Sequence, residues 1–274
     1  MRTVLGIDAA WTSAQPSGVA LAAETDGGWR LVSVVASYQH FIDMANPLVE
    51  GMARPIGCLP QAGPLLHAAK LLSGRPVDLV AIDMPLSHVP IVGRRVADNA
   101  VSRAYGGRKC GTHTPSVLRP GPISDALTTA FLLCGYPLQT LVIKPPGLIE
   151  VYPHPALVEL TSEAERLPYK ASKVRSYWPL ASAADRRISL YRQWAKIIET
   201  LDDHITGTAD ALPALAHGAS GWEMKAYEDK VDAIVCACVA ISALERRAVP
   251  FGDSQSAIWI PEPFSKAVTN SKSS

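Results

Sequence analysis

Short apolar runs separated by turn residues dominate the first part of the chain. Residues 3–7 are rich in Val, Leu and Ile and end at Asp8, which predicts a buried strand. Residues 18–23 and 29–37 are two further apolar or alternating runs, and the segment ETDGG between them has the length and glycine content of a hairpin loop. Three antiparallel strands are therefore predicted to open the domain.

A strand, helix, strand unit follows this hairpin. Residues 65–72 predict a short helix, and residues 77–82 form a fully apolar run that ends at Asp83. Such a run is typical of a strand covered on both faces, so we expect residues 77–82 to run parallel to another strand of the sheet. Residues 148–152 predict a further short strand, which carries Glu150.

The rest of the pattern is mostly helical, and it predicts one domain. Helices are predicted at residues 92–105, 124–133, across much of 155–217, and from 224 to about 246, with a possible edge strand at 257–260. The loop at 106–121 is long enough to suggest a functional role. We expect a single domain over residues 1–263, with insertions at about 86–121 and 155–222 and a flexible tail at 264–274.

Composition and charge exclude several classes of protein. Hydrophobic residues make up 48% of the chain and charged residues 19%, which excludes an intrinsically disordered chain. A formal net charge of +1 excludes whole-chain attraction to nucleic acid of the histone kind. The longest apolar stretch, residues 233–244, is far shorter than the roughly 20 residues that span a bilayer, so no membrane contact is predicted.

The cysteines and the first residues favour a cytoplasmic protein. There are 5 cysteines, an odd number, and none forms a Cys-x-x-Cys pair, which disfavours a disulfide scaffold or a structural zinc site. The first eight residues, MRTVLGID, put a charge inside an apolar run that is too short for the hydrophobic region of a signal peptide. We therefore expect a cytoplasmic location.

Positive charge is concentrated in the two predicted insertions. Residues 94–119 contain six Arg and Lys with Asp98 as the one acid, and residues 166–196 contain eight with Asp185 as the one acid. A solvated face is the ordinary interpretation of such a run. Both segments flank the acidic positions described next, however, which favours a local surface for a polyanion.

Five acids stand at positions that a folded sheet would bring together. Asp8 and Asp83 each end a predicted strand, Glu150 lies on a later strand, and Asp229 and Asp232 are three residues apart on the last helix. Carboxyl ends of parallel strands meet at one edge of a sheet, where open α/β folds place their sites. Grouped carboxylates need a nearby cation to stay ionised, and Mg²⁺ or Mn²⁺, which take oxygen ligands, would provide the positive charge. Two such ions would stabilise the attacking and leaving oxygens when a phosphodiester bond is displaced.

Each acid also has a structural interpretation that the sequence leaves open. Asp8 and Asp83 suit strand-end caps, and Asp229 suits an exposed helix position. Asp232 leads directly into an apolar helix face, where a structural carboxylate is harder to place. Glu150 equally suits an ion pair with an Arg or Lys from an insertion.

Small polar residues and arginines after the strand of Asp83 form a candidate phosphate site. Cys110 and His113 lie close together in the segment KCGTHTPS, as a nucleophile and base would, but no oxyanion partner is evident. N–H groups and hydroxyls in such a loop suit phosphate, and Asp98 would orient one of two preceding arginines. His154 is either an acid for the leaving group or a turn residue. The candidate substrate-binding residues are Arg94, Arg95, Lys109, Thr112, His113, Thr114 and Ser116.

Four short blocks of the sequence recur as a set: GIDAAW at 6–11, AIDMPLS at 81–87, EVYPHPA at 150–156 and DKVDA at 229–233. In this order they resemble the signature blocks of the DUF429 family, whose members are described as predicted nucleases of the ribonuclease H-like fold. The resemblance extends from about residue 3 to 263. It implies an α/β fold with a five-stranded mixed sheet of order 3-2-1-4-5, flanked by helices and interrupted by helical and loop insertions.

The resemblance also implies roles for the acids. Asp8, Asp83, Asp229 and Asp232 are similar to the acidic set of Holliday-junction resolvases of the same superfamily. Carried over, Asp8 would bridge two ions, Asp83 would bind one of them, and Asp229 with Asp232 would bind the other.

The sequence therefore predicts a Mg²⁺- or Mn²⁺-dependent nuclease that hydrolyses nucleic acid, with Asp8, Asp83, Asp229, Asp232 and Glu150 as catalytic residues. A nucleotide-binding phosphotransferase of the actin-like branch of the same superfamily is a weaker alternative. That branch resembles a chain with a glycine-rich phosphate-binding hairpin after the first strand, and the segment AAWTS at 9–13 lacks it. A non-catalytic nucleic-acid- or protein-binding module is the other alternative. DNA, RNA and branched substrates all stay open.

Overall fold

A mixed sheet of seven strands organises the structure, a computed structural model that describes residues 1–46 and 54–263. Strand order across the sheet is β3-β2-β1-β4-β5-β7-β6. The second strand is antiparallel to its two neighbours, β4, β5 and β7 run parallel to β1, and β6 is antiparallel to β7. In chain order the strands are β1 (Thr3–Asp8), β2 (Gly18–Thr25), β3 (Gly28–Val35), β4 (Leu79–Ile82), β5 (Gly147–Val151), β6 (Ala248–Gly252) and β7 (Ala257–Pro261).

The prediction of five strands is wrong, because two more strands extend the sheet beyond β5. The first five strands stand in the expected order 3-2-1-4-5, and the expected mixed α/β class is confirmed. Residues 257–260 were expected at an edge, but as β7 they lie between β5 and β6. The sequence does not predict β6, whose residues AVPFG are only partly buried. Pro250 is tolerated there because β6 is an edge strand with one unpaired side.

Helices cover both faces of the sheet. One face is covered by α9 together with α3, α5 and α7, and the other by α1, α2 and α4. Residues 106–108 and 171–173 form short 3₁₀ turns. In chain order the helices are α1 (Tyr38–Met44), α2 (Ala62–Ser73), α3 (Val96–Tyr105), α4 (Gly121–Leu133), α5 (Pro153–Leu160), α6 (Val174–Tyr177), α7 (Ala183–His204), α8 (Thr208–Ala211) and α9 (Gly221–Leu244).

The alternation of side chains along β1 divides the core into two layers. Val4 packs in the layer of α9, whereas Leu5 and Ile7 pack in the layer of α2. All three side chains are fully buried. A strand buried on both faces explains why the segment is a continuous apolar run and not an alternating one.

Two glycines allow α9 to lie directly on the sheet. A Cβ atom on Gly6 would lie 2.2 Å from the carbonyl oxygen of Ala233, and one on Gly18 would lie 2.0 Å from that of Asp229. Any side chain at either position would therefore push the helix away from β1 and β2. Because Gly18 pairs with Asp8 across the two strands, this close contact brings Asp229 beside the carboxyl end of β1.

Two sequence expectations concern the rest of the chain. Among the described helices, none is both long and apolar enough to cross a bilayer. The flexible tail expected at 264–274 lies outside the described residues.

Helix α1 is not predicted from the sequence. Ser37 caps its first turn by accepting a hydrogen bond from the His40 N–H at 3.1 Å.

Candidate functional site

A cleft of about 590 Å³ opens at the carboxyl ends of β1 and β4. Asp8 and Asp83 reach it from the ends of these strands, and Asp229 and Lys225 reach it from α9. Residues of the loop before α4 line it as well. The remaining lining side chains are Ala9, Ala10, Trp11, Gln15, Pro16, His113, Thr114, Ser116 and Arg119.

The first turns of α9 carry three buried carboxylates. The helix begins with a capping box, in which Ser220 N–H donates to Glu223 Oε2 at 2.6 Å and Glu223 N–H donates to Ser220 Oγ at 3.4 Å. One and two turns later come Glu228, Asp229 and Asp232, each no more than 3% exposed. Their burial in the turns that contact β1 and β2 puts negative charge directly behind the cleft.

Two lysines neutralise part of this charge. Lys225 Nζ donates to Asp229 Oδ1, one helical turn away on α9. Lys170 Nζ donates to Asp232 Oδ2 from the segment before the second 3₁₀ turn. The hydroxyl of Tyr169 donates to the other oxygen of Asp232, Oδ1, at 2.7 Å. Both oxygens of Asp232 are thus occupied by groups of the protein itself.

The carboxyl groups of the cleft hold protons more tightly than ordinary aspartates. Burial, followed by the charges of Asp232 and Asp229, raises the pKa of Asp8 well above its usual value. Burial, followed by the charge of Asp232, raises the pKa of Asp83 to about 7. The pKa of Asp229 is raised to about 6, because burial outweighs the lowering effect of Lys225. Near neutral pH the cluster must therefore hold a proton or a cation.

Carboxylate oxygens are donors that suit a divalent ion, but Lys225 already pairs with one of those at the cleft. Within residues 1–46 and 54–263, no group of three or more His, Cys, Asp or Glu side chains is already arranged to hold a metal ion. The buried Oδ2 of Asp229, however, has no hydrogen-bond partner. Such an atom is costly to bury unless something binds it. Lys225, whose side chain is 53% exposed, has room to leave Asp229.

Glu150 lies beside the cleft in a buried ion-pair network. Arg95 donates to both of its oxygens, from Nη1 to Oε2 at 2.6 Å and from Nη2 to Oε1 at 2.7 Å, and also pairs with Asp98 at 2.9 Å. The Leu86 N–H donates to Oε2 at 2.7 Å. Burial raises the pKa of Glu150 to about 6, and Arg95 opposes this shift. These contacts favour the alternative in which Glu150 binds an arginine from an insertion.

The predicted phosphate-binding residues fall into three places. His113, Thr114 and Ser116 line the cleft, and Thr112 lines a smaller adjoining cavity of about 190 Å³ that also reaches Asp83. The other three candidates, Arg94, Arg95 and Lys109, lie outside the lining of the main cleft.

These three basic residues bind other parts of the protein. Arg94 supports the cleft loop, because its guanidinium donates to Thr114 Oγ1 at 3.3 Å and to the Thr112 carbonyl at 3.4 Å. Arg95 is 7% exposed and is held by Glu150 and by Asp98, the residue expected to orient an arginine. Lys109 pairs with Glu165 at 2.6 Å, beside a different cavity.

Cys110 and His154 are both buried within the protein. Cys110 donates from Sγ to the Arg108 carbonyl at 3.4 Å, and burial raises the pKa of its thiol to about 11, which opposes a role as a nucleophile. His154 packs between the rings of Tyr152 and Tyr169, and burial, followed by the charge of Lys170, holds its pKa well below its usual value. A neutral, enclosed imidazole supports the structural interpretation of His154.

Several residues at the cleft are not predicted from the sequence. Lys225 could have been found, because it lies four residues before Asp229 on the same helix. The contact of Lys170 with Asp232 spans 62 positions and has no local signal. Arg119 and Trp11 lie together at the cleft, with the guanidinium carbon 5.8 Å from the ring centroid, and also come from distant segments.

The fold and the cleft define an α/β protein with a mixed sheet and carboxylates at the ends of its parallel strands. Residues 138–256 match the model of the family described as "Protein of unknown function (DUF429)", so this segment is similar to that family. The matched segment contains Glu150, Asp229 and Asp232, whereas Asp8 and Asp83 precede it. No match was found among curated proteins, and none among solved structures.

Proposed function

We propose that the protein is a divalent-metal-dependent nuclease with a ribonuclease H-like fold. The observation that carries this proposal is the convergence of Asp8, Asp83 and Asp229, from three distant segments, on one cleft. The sheet order β3-β2-β1-β4-β5, which begins with three antiparallel strands, supports the fold assignment, with β7 and β6 as an extension.

The three aspartates would be the ligands of Mg²⁺ or Mn²⁺. A bound ion of this kind lowers the pKa of a coordinated water and stabilises charge on phosphate oxygens. Asp8 and Asp83 stand at strand ends, which fixes their backbones, and Asp229 is fixed by the contact of α9 with Gly18. Lys225 would have to leave Asp229 when the ion binds, and its ammonium group would then remain in the cleft beside the substrate.

The loop before α4 supplies groups that suit a phosphate backbone. His113, Thr114 and Ser116 offer ring, hydroxyl and backbone donors, and Arg119 offers a guanidinium. Phosphate contacts position a nucleic acid without reading its sequence, which matches the small polar character of this wall. The proposed partner is therefore nucleic acid, and the proposed site of action is the cytoplasm.

The direct test is cleavage of labelled RNA, DNA, hybrid and branched substrates in Mn²⁺. Asp8→Asn and Asp83→Asn should each lower the rate by more than about 100-fold, since even partners of metal ligands change activity by 10–100-fold. The matched control is Asp26→Asn, at an exposed hairpin position, and it should cleave like the wild type. Equal activity in the wild type and both cleft variants would refute the proposed site.

A second candidate is a nucleic-acid-binding protein without catalysis. The observation that favours it is the pairing of Lys225 and Lys170 with Asp229 and Asp232, which already compensates two carboxylates without a metal. This candidate predicts salt-dependent binding of nucleic acid without uptake of Mn²⁺ and without turnover.

A further inference from the structure

Asp232 differs from the other three predicted metal ligands in its surroundings. It is fully buried, and both of its oxygens accept hydrogen bonds from protein groups, Oδ1 from Tyr169 and Oδ2 from Lys170. In the described part of the chain, the cleft lining includes Asp8, Asp83 and Asp229 but not Asp232. An ion in the cleft would therefore meet three of the four carboxylates.

Lys170 is held rigidly in its position. Its ammonium group lies between Asp232 and Glu228, with Glu228 Oε1 at 3.4 Å, and its side chain is only 19% exposed. The next residue is anchored too, because the Ala171 N–H donates to Glu228 Oε2 at 2.6 Å. The carbonyl of Tyr169 accepts a hydrogen bond from Trp194 Nε1 at 2.9 Å. Contacts on both sides of Lys170 thus fix the charge beside Asp232.

Lys225 is bound more loosely than Lys170. Its side chain is 53% exposed, against 19% for Lys170, and it reaches Asp229 from one turn away on the same helix and Glu228 Oε1 at 3.5 Å. Rotation of its side chain into the open cleft would release Asp229 without moving the backbone. The two lysines therefore differ in kind: one is a fixed part of the interior, and the other can be displaced by an incoming cation.

One buried oxygen of Asp229 lacks a hydrogen-bond partner and is a candidate ligand for an incoming cation. The side chain of Asp229 is 1% exposed, yet its Oδ2 has no hydrogen-bond partner and belongs to a residue that lines the cleft. Native proteins seldom bury such an acceptor without a partner. The adjacent carboxyl of Asp8 can donate to this oxygen only while it holds a proton. When Asp8 is ionised, a cation shared by the two carboxylates would satisfy both.

The charges of this region limit the number of ions. Asp8, Asp83, Glu228, Asp229 and Asp232 together exceed the two lysines by three negative charges when all are ionised. One divalent ion would leave a single negative charge, which substrate-binding cations can balance. A second divalent ion would reverse the sign while displacing or repelling the buried ammonium of Lys170.

We infer that the site takes one divalent ion, held by Asp8, Asp83 and Asp229, and that the Lys170 ammonium on Asp232 replaces a second ion. This inference rests on the proposed function but changes its chemistry. Lys170 is a positioning residue. Its ammonium group supplies a fixed single positive charge but, unlike a metal ion, it cannot coordinate a water or exchange ligands. By pairing with Asp232 it also keeps this carboxylate out of the coordination shell of the ion.

The test counts ions on the full-length protein with Mn²⁺ alone. Calorimetric titration should give one Mn²⁺ per chain in the wild type, and electron paramagnetic resonance should show an isolated ion, not a coupled pair. Asp83→Asn should weaken binding by at least about 100-fold. Asp232→Asn should keep one ion, with a dissociation constant within about three-fold of the wild type. Asp26→Asn is the exposed control and should match the wild type.

A gain of binding provides the second readout. Lys170→Met removes the ammonium group from Asp232 and Glu228 and leaves Asp232 Oδ2 without that partner. This variant should take up a second, weaker Mn²⁺ with a coupled resonance signal. A coupled pair on the wild type, or loss of one ion in Asp232→Asn, would overturn the inference and leave the proposed function standing. Absence of any bound ion on the wild type would overturn both. If Lys170→Met does not fold, the ion count of the wild type still decides the question.

Discussion

Replacing Arg95 with methionine should destabilise the protein by about 3–5 kcal/mol, because it removes the cation from a buried network. Arg95 is 7% exposed and makes paired hydrogen bonds to Glu150 and further bonds to Asp98. A methionine fills much of the same volume, but both carboxylates would then be buried without their partner. The loss should appear in the free energy of unfolding measured in urea at pH 7.5.

The pH dependence of this variant distinguishes lost charge compensation from lost packing. The pKa of Glu150 is already raised to about 6, and removing Arg95 should raise it further. A carboxyl whose pKa is higher in the folded state destabilises the fold increasingly as pH rises through that value. The defect should therefore be smaller at pH 5 than at pH 7.5. The neighbouring Arg94→Met is the matched control, because Arg94 is exposed, and it should cost less than about 1.5 kcal/mol. A loss below about 1 kcal/mol for Arg95→Met would contradict the assigned role.

Gly18→Ala should destabilise the protein by about 3 kcal/mol, at the upper end of the usual cost of overpacking. The added Cβ would lie 2.0 Å from the Asp229 carbonyl oxygen and 2.6 Å from its carbonyl carbon. These are backbone atoms, so no side-chain rotation relieves the clash and α9 must shift. The free energy of unfolding measures the cost. The displaced helix should also carry Asp229 away from Asp8 and weaken Mn²⁺ binding.

A glycine in open space provides the control for this substitution. Gly63 lies on the exposed side of α2, and a Cβ there would meet no atom within 4 Å. Gly63→Ala should be neutral or stabilise the protein by up to about 1 kcal/mol, since alanine favours the helix. Similar changes in the free energy of unfolding for the two substitutions would contradict the close contact of α9 with β2.

Local sequence pattern predicts the elements that position the cleft. The strands that end at Asp8 and Asp83 are continuous apolar runs bounded by an acid, and α9 is a long apolar helix with two acids three residues apart. These signals lie within single segments. Parallel strands place their carboxyl ends at the same edge, so the approach of Asp8 to Asp83 followed from the topology.

The remaining features depend on contacts that no local pattern encodes. The sequence does not show that β7 lies inside the sheet, because strand neighbours are chosen in three dimensions. The strand β6 contains a proline and lacks an apolar pattern. Lys170 reaches Asp232 from an insertion whose path the sequence leaves open, and Arg95 reaches Glu150 across 55 positions. Charge pairing of this kind decides which acids are free to bind an ion.

The most direct measurement is anomalous diffraction at the manganese edge from crystals of the full-length protein soaked in Mn²⁺. We expect one anomalous peak in the cleft, within direct coordination distance of carboxylate oxygens of Asp8, Asp83 and Asp229, with Lys225 moved away from Asp229. A cleft without a peak, in which Lys225 still pairs with Asp229 at saturating Mn²⁺, would contradict this expectation.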